Sequence, residues 1–139
     1  MNKKGFTLVE LLMVIALLAL ISAIAIPNIS NILESTKKEH MLDDAKKLIS
    51  LAEAEVRKSY EIRNSGNHTF YINDLNFYGE ILGDPDGGEY ASSSYVKYDN
   101  TKGQAKYCIS LIGSKRNIGK INCVDSNELY SINNVVNNN

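Results

Sequence analysis

Glu10 stands inside an apolar run, and a carboxylate in that setting needs a chemical explanation. From Phe6 to Ile26 the polar residues are Thr7, Glu10 and Ser22 alone. As a helix rising about 1.5 Å per residue, the run reaches roughly 30 Å, the thickness of a bilayer's hydrocarbon core. An ionisable group at that depth is unfavourable on its own, so it is read as functional and in want of a partner. Lys3, Lys4 and Gly5 come immediately before the run. An ordinary secretory leader has a shorter apolar region, a small-residue cleavage site after it, and no acid within it. Here the small residue, Gly5, comes first, and no clear A-x-A-like site follows.

Other reactive residue types are sparse. Cys108 and Cys123 form no C-x-x-C pair and have no histidine near them, which argues against zinc. If the turn between the last two long strands is centred on Lys115-Arg116, the two cysteines face each other at about 4.5–5.5 Å between Cβ atoms. That spacing is slightly wider than a bridge needs; the pair reads as a disulfide, worth roughly 3 kcal/mol for a loop of this length, or as buried thiols that merely pack. His40 and His68 are isolated and read as surface residues. Lys97, Lys102, Lys106, Lys115, Arg116 and Lys120 make a basic cluster, and Asp74, Glu80, Asp84, Asp86 and Glu89 an acidic one. They read as ordinary solvated turns, or as complementary faces of adjacent subunits or a weak site for DNA. Asp84-Pro85-Asp86-Gly87-Gly88 faintly suggests calcium ligands and is better explained as a turn. Asn28-Ile29-Ser30 and Asn67-His68-Thr69 fit the short glycosylation pattern. No nucleophile–base pair, phosphate loop or metal-ligand cluster stands out, so no enzyme, cofactor or metal centre is expected.

Positioning these groups needs few elements. Beyond Pro27, where a bend is expected, apolar residues recur at Ile29, Ile32, Leu33, Met41, Leu42, Ala45, Leu48, Ile49, Ala52 and Val56. Three-to-four spacing marks one face of an amphipathic helix. Lys37, Lys38, Glu39, Asp43, Asp44, Lys46, Lys47, Glu53, Glu55 and Arg57 fill the other face. One helix is therefore expected from Phe6 to about Tyr60. A breaker at Asn64–Asn67 and a loop follow, then strands Tyr95–Tyr98, Ala105–Ile112 and Ile118–Val124, with a weaker run at Leu129–Ile132. Asp99–Gly103 is hairpin-turn chemistry. A long helix covering a small antiparallel sheet is an α+β fold. The expected division is residues 1–5 leader, 6–27 membrane or core helix, 28–60 amphipathic helix, 61–132 loop and sheet, and 133–139 an Asn-rich flexible tail. Eight tyrosines, spread from Tyr60 to Tyr130, are read chiefly as core.

The formal net charge is −1, and removal of residues 1–5 would leave 13 basic against 16 acidic residues. That balance supports neither bulk nucleic-acid binding nor an acidic tail. Lys3 and Lys4 ahead of the apolar run predict a cytoplasmic N-terminus with the rest of the chain outside.

Gly5-Phe6-Thr7-Leu8-Val9-Glu10 with the apolar helix behind it resembles the type IV pilin family and its class III signal peptide. The resemblance covers about residues 1–33. It implies that a prepilin peptidase cuts between Gly5 and Phe6, that the new amine on Phe6 is methylated, and that Pro27 is the helix-kinking proline of many members. It implies a C-terminal disulfide loop at Cys108–Cys123, with shorter spacing and a longer tail than the family pattern. Glu10 would meet the Phe6 amine of another subunit, fixing register. Implied partners are other copies of the chain and other pilins, the assembly platform and its ATPase, and membrane lipid before assembly. The precursor would span the cytoplasmic membrane once and end in a surface filament for adhesion, twitching motility or colonisation. The alternatives are a pseudopilin of type II secretion or DNA uptake, and a monomeric membrane-anchored binding module whose Glu10 is satisfied within its own chain.

Overall fold

The computed structural model describes residues 5–75 and 83–138, the side chains of Pro27 and Asn28 excepted. The chain divides into two compact units, Met1–Thr36 and Lys37–Asn139. Helix α1, Leu8–Lys58, supplies residues to both.

In the first unit α1 is rich in leucine and alanine, which lose little freedom in a helix. Its few hydroxyls bond back onto the helix: Ser22 Oγ donates to the Leu18 carbonyl at 2.8 Å and Thr36 Oγ1 to that of Ile32 at 2.9 Å. These two hydroxyls are thereby satisfied by the helix itself, without water. The apolar surface is bare. Leu8 is 75% exposed, Leu20 66% and Ile32 66%. The expected amphipathic face therefore begins later than its periodicity suggested, since Ile29, Ile32 and Leu33 are exposed and the first fully buried residue is Met41. The helix continues through position 27. The expected bend at Pro27 concerns a side chain outside the described residues.

In the second unit Met41, Leu42, Ala45, Leu48, Ile49, Ala52 and Val56 are all buried, the stripe that the spacing predicted. α1 stops at Lys58 because Ser59 turns extended and caps a short helix α2, Tyr60–Asn64, its hydroxyl accepting from Ile62 N at 3.3 Å. The strands are β1 Asn67–Tyr71, β2 Tyr95–Asp99, β3 Lys106–Ile112, β4 Arg116–Ile118, β5 Val124–Asp125 and β6 Val136–Asn137; a four-residue helix α3, Ile72–Leu75, follows β1. They form one sheet of order β1-β2-β3-β4-β6, with β5 also paired to β3 and each recorded pairing antiparallel. Alternation puts Phe70, Val96, Tyr98, Ile109 and Leu111 into the core with the α1 stripe. The architecture is α+β, as expected.

Several local expectations are overturned. Residues 67–71, read as breaker and loop, are strand β1, paired with β2 through Phe70↔Val96. Ile118–Val124 is not one strand. β4 ends at Ile118, and β5 starts at Val124. Between them Gly119 adopts φ +63°, and a Cβ there would lie 2.6 Å from the Ile109 carbonyl oxygen, so the chain leaves the sheet at a point only glycine fits. Leu129–Ile132 is no edge strand; 3-10 turns occupy Ser126–Glu128 and Ile132–Asn134. The Asn-rich end is not a loose tail through residue 138. It forms β6 on β4, and Asn138 completes the β3–β4 turn. Its N donates to the Lys115 carbonyl at 2.7 Å and its Nδ2 to that of Gly113 at 2.9 Å. An asparagine both donates and accepts, and it satisfies the carbonyls that a tight turn leaves open.

Candidate functional site

Gly5, Phe6 and Thr7 precede α1 in non-helical backbone, so the Gly5–Phe6 bond lies just outside the helix. A Cβ on Gly5 would meet nothing within 4 Å. Among the described residues, packing does not demand glycine there. Phe6 is 86% exposed.

Glu10 is held by Thr7. Thr7 N and Thr7 Oγ1 each donate to Glu10 Oε2 at 2.8 Å, and Glu10 N donates back to Thr7 Oγ1 at 3.3 Å. This is a reciprocal capping box that starts the helix at Leu8. The sequence reading missed Thr7, although Thr-x-x-Glu ahead of an apolar run is the signature that finds it. Both donors are neutral. Among the described residues the carboxylate receives hydrogen bonds and no countercharge. Lys3 and Lys4 lie outside the described residues.

The cysteines are joined, with an S–S distance of 2.06 Å and Cα atoms 5.4 Å apart. The route differs from the expected one. β3 pairs with β4 through Leu111↔Ile118 and with β5 through Cys108↔Asp125, so Cys108 faces Asp125 and reaches Cys123 diagonally. The excursion at residues 119–123 shifts the register between the two pairings. It carries Ile121, 93% exposed, and borders a 520 Å³ cleft lined with Asn117, Asn122, Val136 and Asn138.

The charged clusters turn out to be partly each other's partners. Arg116, expected on the surface, has a side chain only 3% exposed and bonds both oxygens of Asp86, with Nη2 at 2.9 Å from Oδ1 and Nε on Oδ2. Lys37 Nζ adds a third contact at 3.0 Å. The Arg116 guanidinium, and Lys37 after it, hold the Asp86 carboxyl below the usual carboxylate range against the opposing effect of burial. Asp84 accepts from Ser114 N at 2.6 Å and Asp86 N at 3.1 Å. The Asp84–Gly88 turn is thus pinned to β4 and α1 by its own carboxylates. Among the described residues no group of three metal-ligating side chains occurs. Lys97, Lys102, Lys106, Lys115 and Lys120 are exposed, as is Glu89. Asp74 accepts from Tyr71 N at 3.1 Å, and Glu80 and Tyr78 lie outside the described residues.

Asp44 was assigned to the solvated face and is buried, 2% exposed. The Tyr90 hydroxyl donates to it at 2.8 Å, and His40 Nδ1 lies 3.3 Å away. Burial pushes the Asp44 carboxyl up despite these partners, and burial together with Asp44 pushes the Tyr90 phenol up as well. His40 is otherwise exposed, and His68 packs edge-on against Phe70 with ring centroids 4.5 Å apart. Tyr90 and Tyr98 are core, whereas Tyr60, Tyr71 and Tyr130 are at least half exposed.

Residues 1–26 match the model of the prokaryotic N-terminal methylation motif. The type IV narrow pilus major component PilA5 of Thermus thermophilus is 26% identical over 101 residues, covering 73% of this chain and 76% of that protein. No solved structure matches significantly. α1 contains a stretch long and apolar enough to cross a membrane, and with the motif this fits a membrane-anchored precursor. Methylation motif, α+β head and pilus-component relative agree: the N-terminus is similar to that of type IV pilin-like proteins, and the head has the helix-on-sheet architecture expected from that likeness.

Proposed function

We propose that this chain is the subunit of an extracellular type IV pilus filament, serving adhesion, twitching motility or surface colonisation. One observation carries the reading: every large apolar residue from Phe6 to Leu33 that the structure describes is exposed, in a helix whose other half is packed to completion. An unpartnered apolar surface of that length is stable in lipid or against identical helices, and a filament core provides the second environment. In this reading residues 1–5 are the cleaved leader, residues 6–27 the membrane and later core segment with a bend at Pro27, and the rest the coat. The precursor spans the cytoplasmic membrane with its N-terminus inside. A prepilin peptidase cuts between Gly5 and Phe6, and the Phe6 amine is methylated. That ammonium meets Glu10 of a neighbouring copy, supplying the countercharge that Thr7 does not. The platform and ATPase then extract the subunit from lipid.

The Thr7 contacts favour a second reading, a monomeric anchored module, because they satisfy Glu10 within its own chain. Neutral donors leave the charge itself uncompensated at membrane depth, which supports the filament instead. A pseudopilin of type II secretion or DNA uptake shares the N-terminal chemistry.

Immunoelectron microscopy with an antibody to this chain tests the reading. Long labelled filaments are expected. Cells bearing none would make it a pseudopilin or an anchor. Gly5→Val should leave uncut precursor on a gel, and Glu10→Val should be cut and inserted but not assembled.

A further inference from the structure

We propose that the face of the sheet turned away from α1 binds an acidic polysaccharide, a hydroxyl-rich chain with sparse carboxylates. The inference rests on the adhesion reading above and names its target by chemistry. Alternation puts Phe70, Val96 and Ile109 on the α1 side, so their strand neighbours share the opposite face. The register arranges that face in cross-strand rows: Tyr71 beside Tyr95, Thr69 beside Lys97, and Asn67 beside Asp99 and Lys106. Tyr71 is 50% exposed and meets the Tyr95 ring at 68°, with centroids 6.5 Å apart. An edge-on pair of this kind leaves ring faces that neither partner covers. Two clefts, of 200 and 160 Å³, share Asp99 and Lys106; one extends to Lys97 and Asp125, the other to Lys102 and Gln104.

Charge selects the partner. Several cations of the head have a carboxylate close by: Lys37 and Arg116 have Asp86, Lys46 has Asp43, and Arg57 has Glu53. Among the described residues no carboxylate lies within ion-pair reach of Lys97, Lys102 or Lys106, and all three are exposed. Asp99 and Asp125 border the same clefts, and each commits one oxygen to its own turn. Asp99 Oδ1 accepts from Thr101 N at 2.9 Å, and Asp125 Oδ1 from Asn127 N at 2.9 Å. A nucleic-acid strand, charged at every nucleotide, would meet those aspartates as repulsion. A polysaccharide with occasional carboxylates brings its charges to the lysines, and its hydroxyls donate to the aspartates. Its apolar ring faces pack on tyrosine, a side chain suited to contacts that are half apolar and half wet.

Isothermal titration of the full chain in uncharged detergent micelles tests this, with hyaluronan oligosaccharides, which carry a carboxylate on alternate sugars, as the probe. Dextran oligosaccharides, which carry no charge, should bind at least about tenfold more weakly. Lys97→Ala and Tyr95→Ala should each weaken hyaluronan binding about tenfold. Tyr95→Phe, which keeps the ring, and Lys115→Ala, at the other end of β3, should stay within about twofold. Circular dichroism reads the fold of each variant; Lys97 is exposed and outside the core, so its variant decides the matter even where Tyr95→Ala unfolds. Absence of hyaluronan binding, equal binding of dextran, unchanged affinity in Lys97→Ala, or tighter binding of a single-stranded oligodeoxynucleotide overturns the proposal. Filament counts test the underlying reading separately: unaltered cells without filaments overturn that reading, whatever the titration gives.

Discussion

The two halves of α1 differ in what each lacks. From Met41 to Val56 the apolar stripe is covered by the sheet, and the one carboxylate turned inward, Asp44, has Tyr90 for a donor. Between Phe6 and Leu33 the described apolar side chains are uncovered, and the one carboxylate, Glu10, is held among the described residues by Thr7. The same helix is complete as a fold in its second half and incomplete in its first. Completeness is a matter of what a single chain can supply: a sheet of six short strands covers the stripe from Met41 to Val56, roughly four turns of helix.

The contrast can be broken by truncating each half. Ile109→Ala or Leu48→Ala should cost about 2–5 kcal/mol of head stability, because both are buried to 3% exposure or less. Leu18→Ala, in the exposed half, should change it by less than about 0.5 kcal/mol. Urea unfolding of the full chain in detergent micelles measures both, and equal losses would erase the distinction. Next in size, Arg116→Met leaves a buried Asp86 with Lys37 alone and should cost about 3 kcal/mol. Reducing Cys108–Cys123 should cost about 3 kcal/mol on the loop-entropy account and leave the helicity of residues 8–36 unchanged in circular dichroism.

The smallest effect sharpens the comparison between carboxylates within the head. Asp86 has a lowered pKa in the fold, so its contribution is present above the unfolded carboxylate pKa of about 3.9 and is lost as pH falls through the folded value. Asp44 has a raised one, so its ionised form is disfavoured by folding, and stability from this group declines as pH rises from about 3.9 through the folded value. Asp86→Asn should therefore flatten the acid limb of a stability–pH curve and lower stability at neutral pH. Asp44→Asn, which still offers an acceptor to Tyr90, should be neutral or stabilising above about pH 5. Matching curves for the two variants would show that burial and ion pairing do not separate these aspartates.

Legibility in the sequence followed the range of the interactions. The stripe from Met41 to Val56 and the hairpin at Asp99–Gly103 were readable because local spacing and turn chemistry decide them. Asp99 Oδ1 accepts from Thr101 N at 2.9 Å within its own turn. Thr7 was equally local and carried its capping signature, so missing it was a failure of reading and not of information. Asp44 and Arg116 were assigned to the surface because their partners lie 46 and 30 residues away, and no spacing rule reaches that far. The cysteine bridge was anticipated through the wrong register, since the Gly119 departure depends on the Ile109 carbonyl across the sheet.

The sequence by itself determined the pattern of the N-terminus: a glycine, a phenylalanine and a carboxylate at fixed spacing in an apolar run, a pattern set by neighbours a few residues away. Tertiary structure alone decided which charged residues belong to the core, where β3 exchanges β4 for β5, and that Val136–Asn137 is a strand. Those outcomes depend on groups that become neighbours only when the chain has closed its long loops, and burial then turns an ordinary surface charge into one that must be paired.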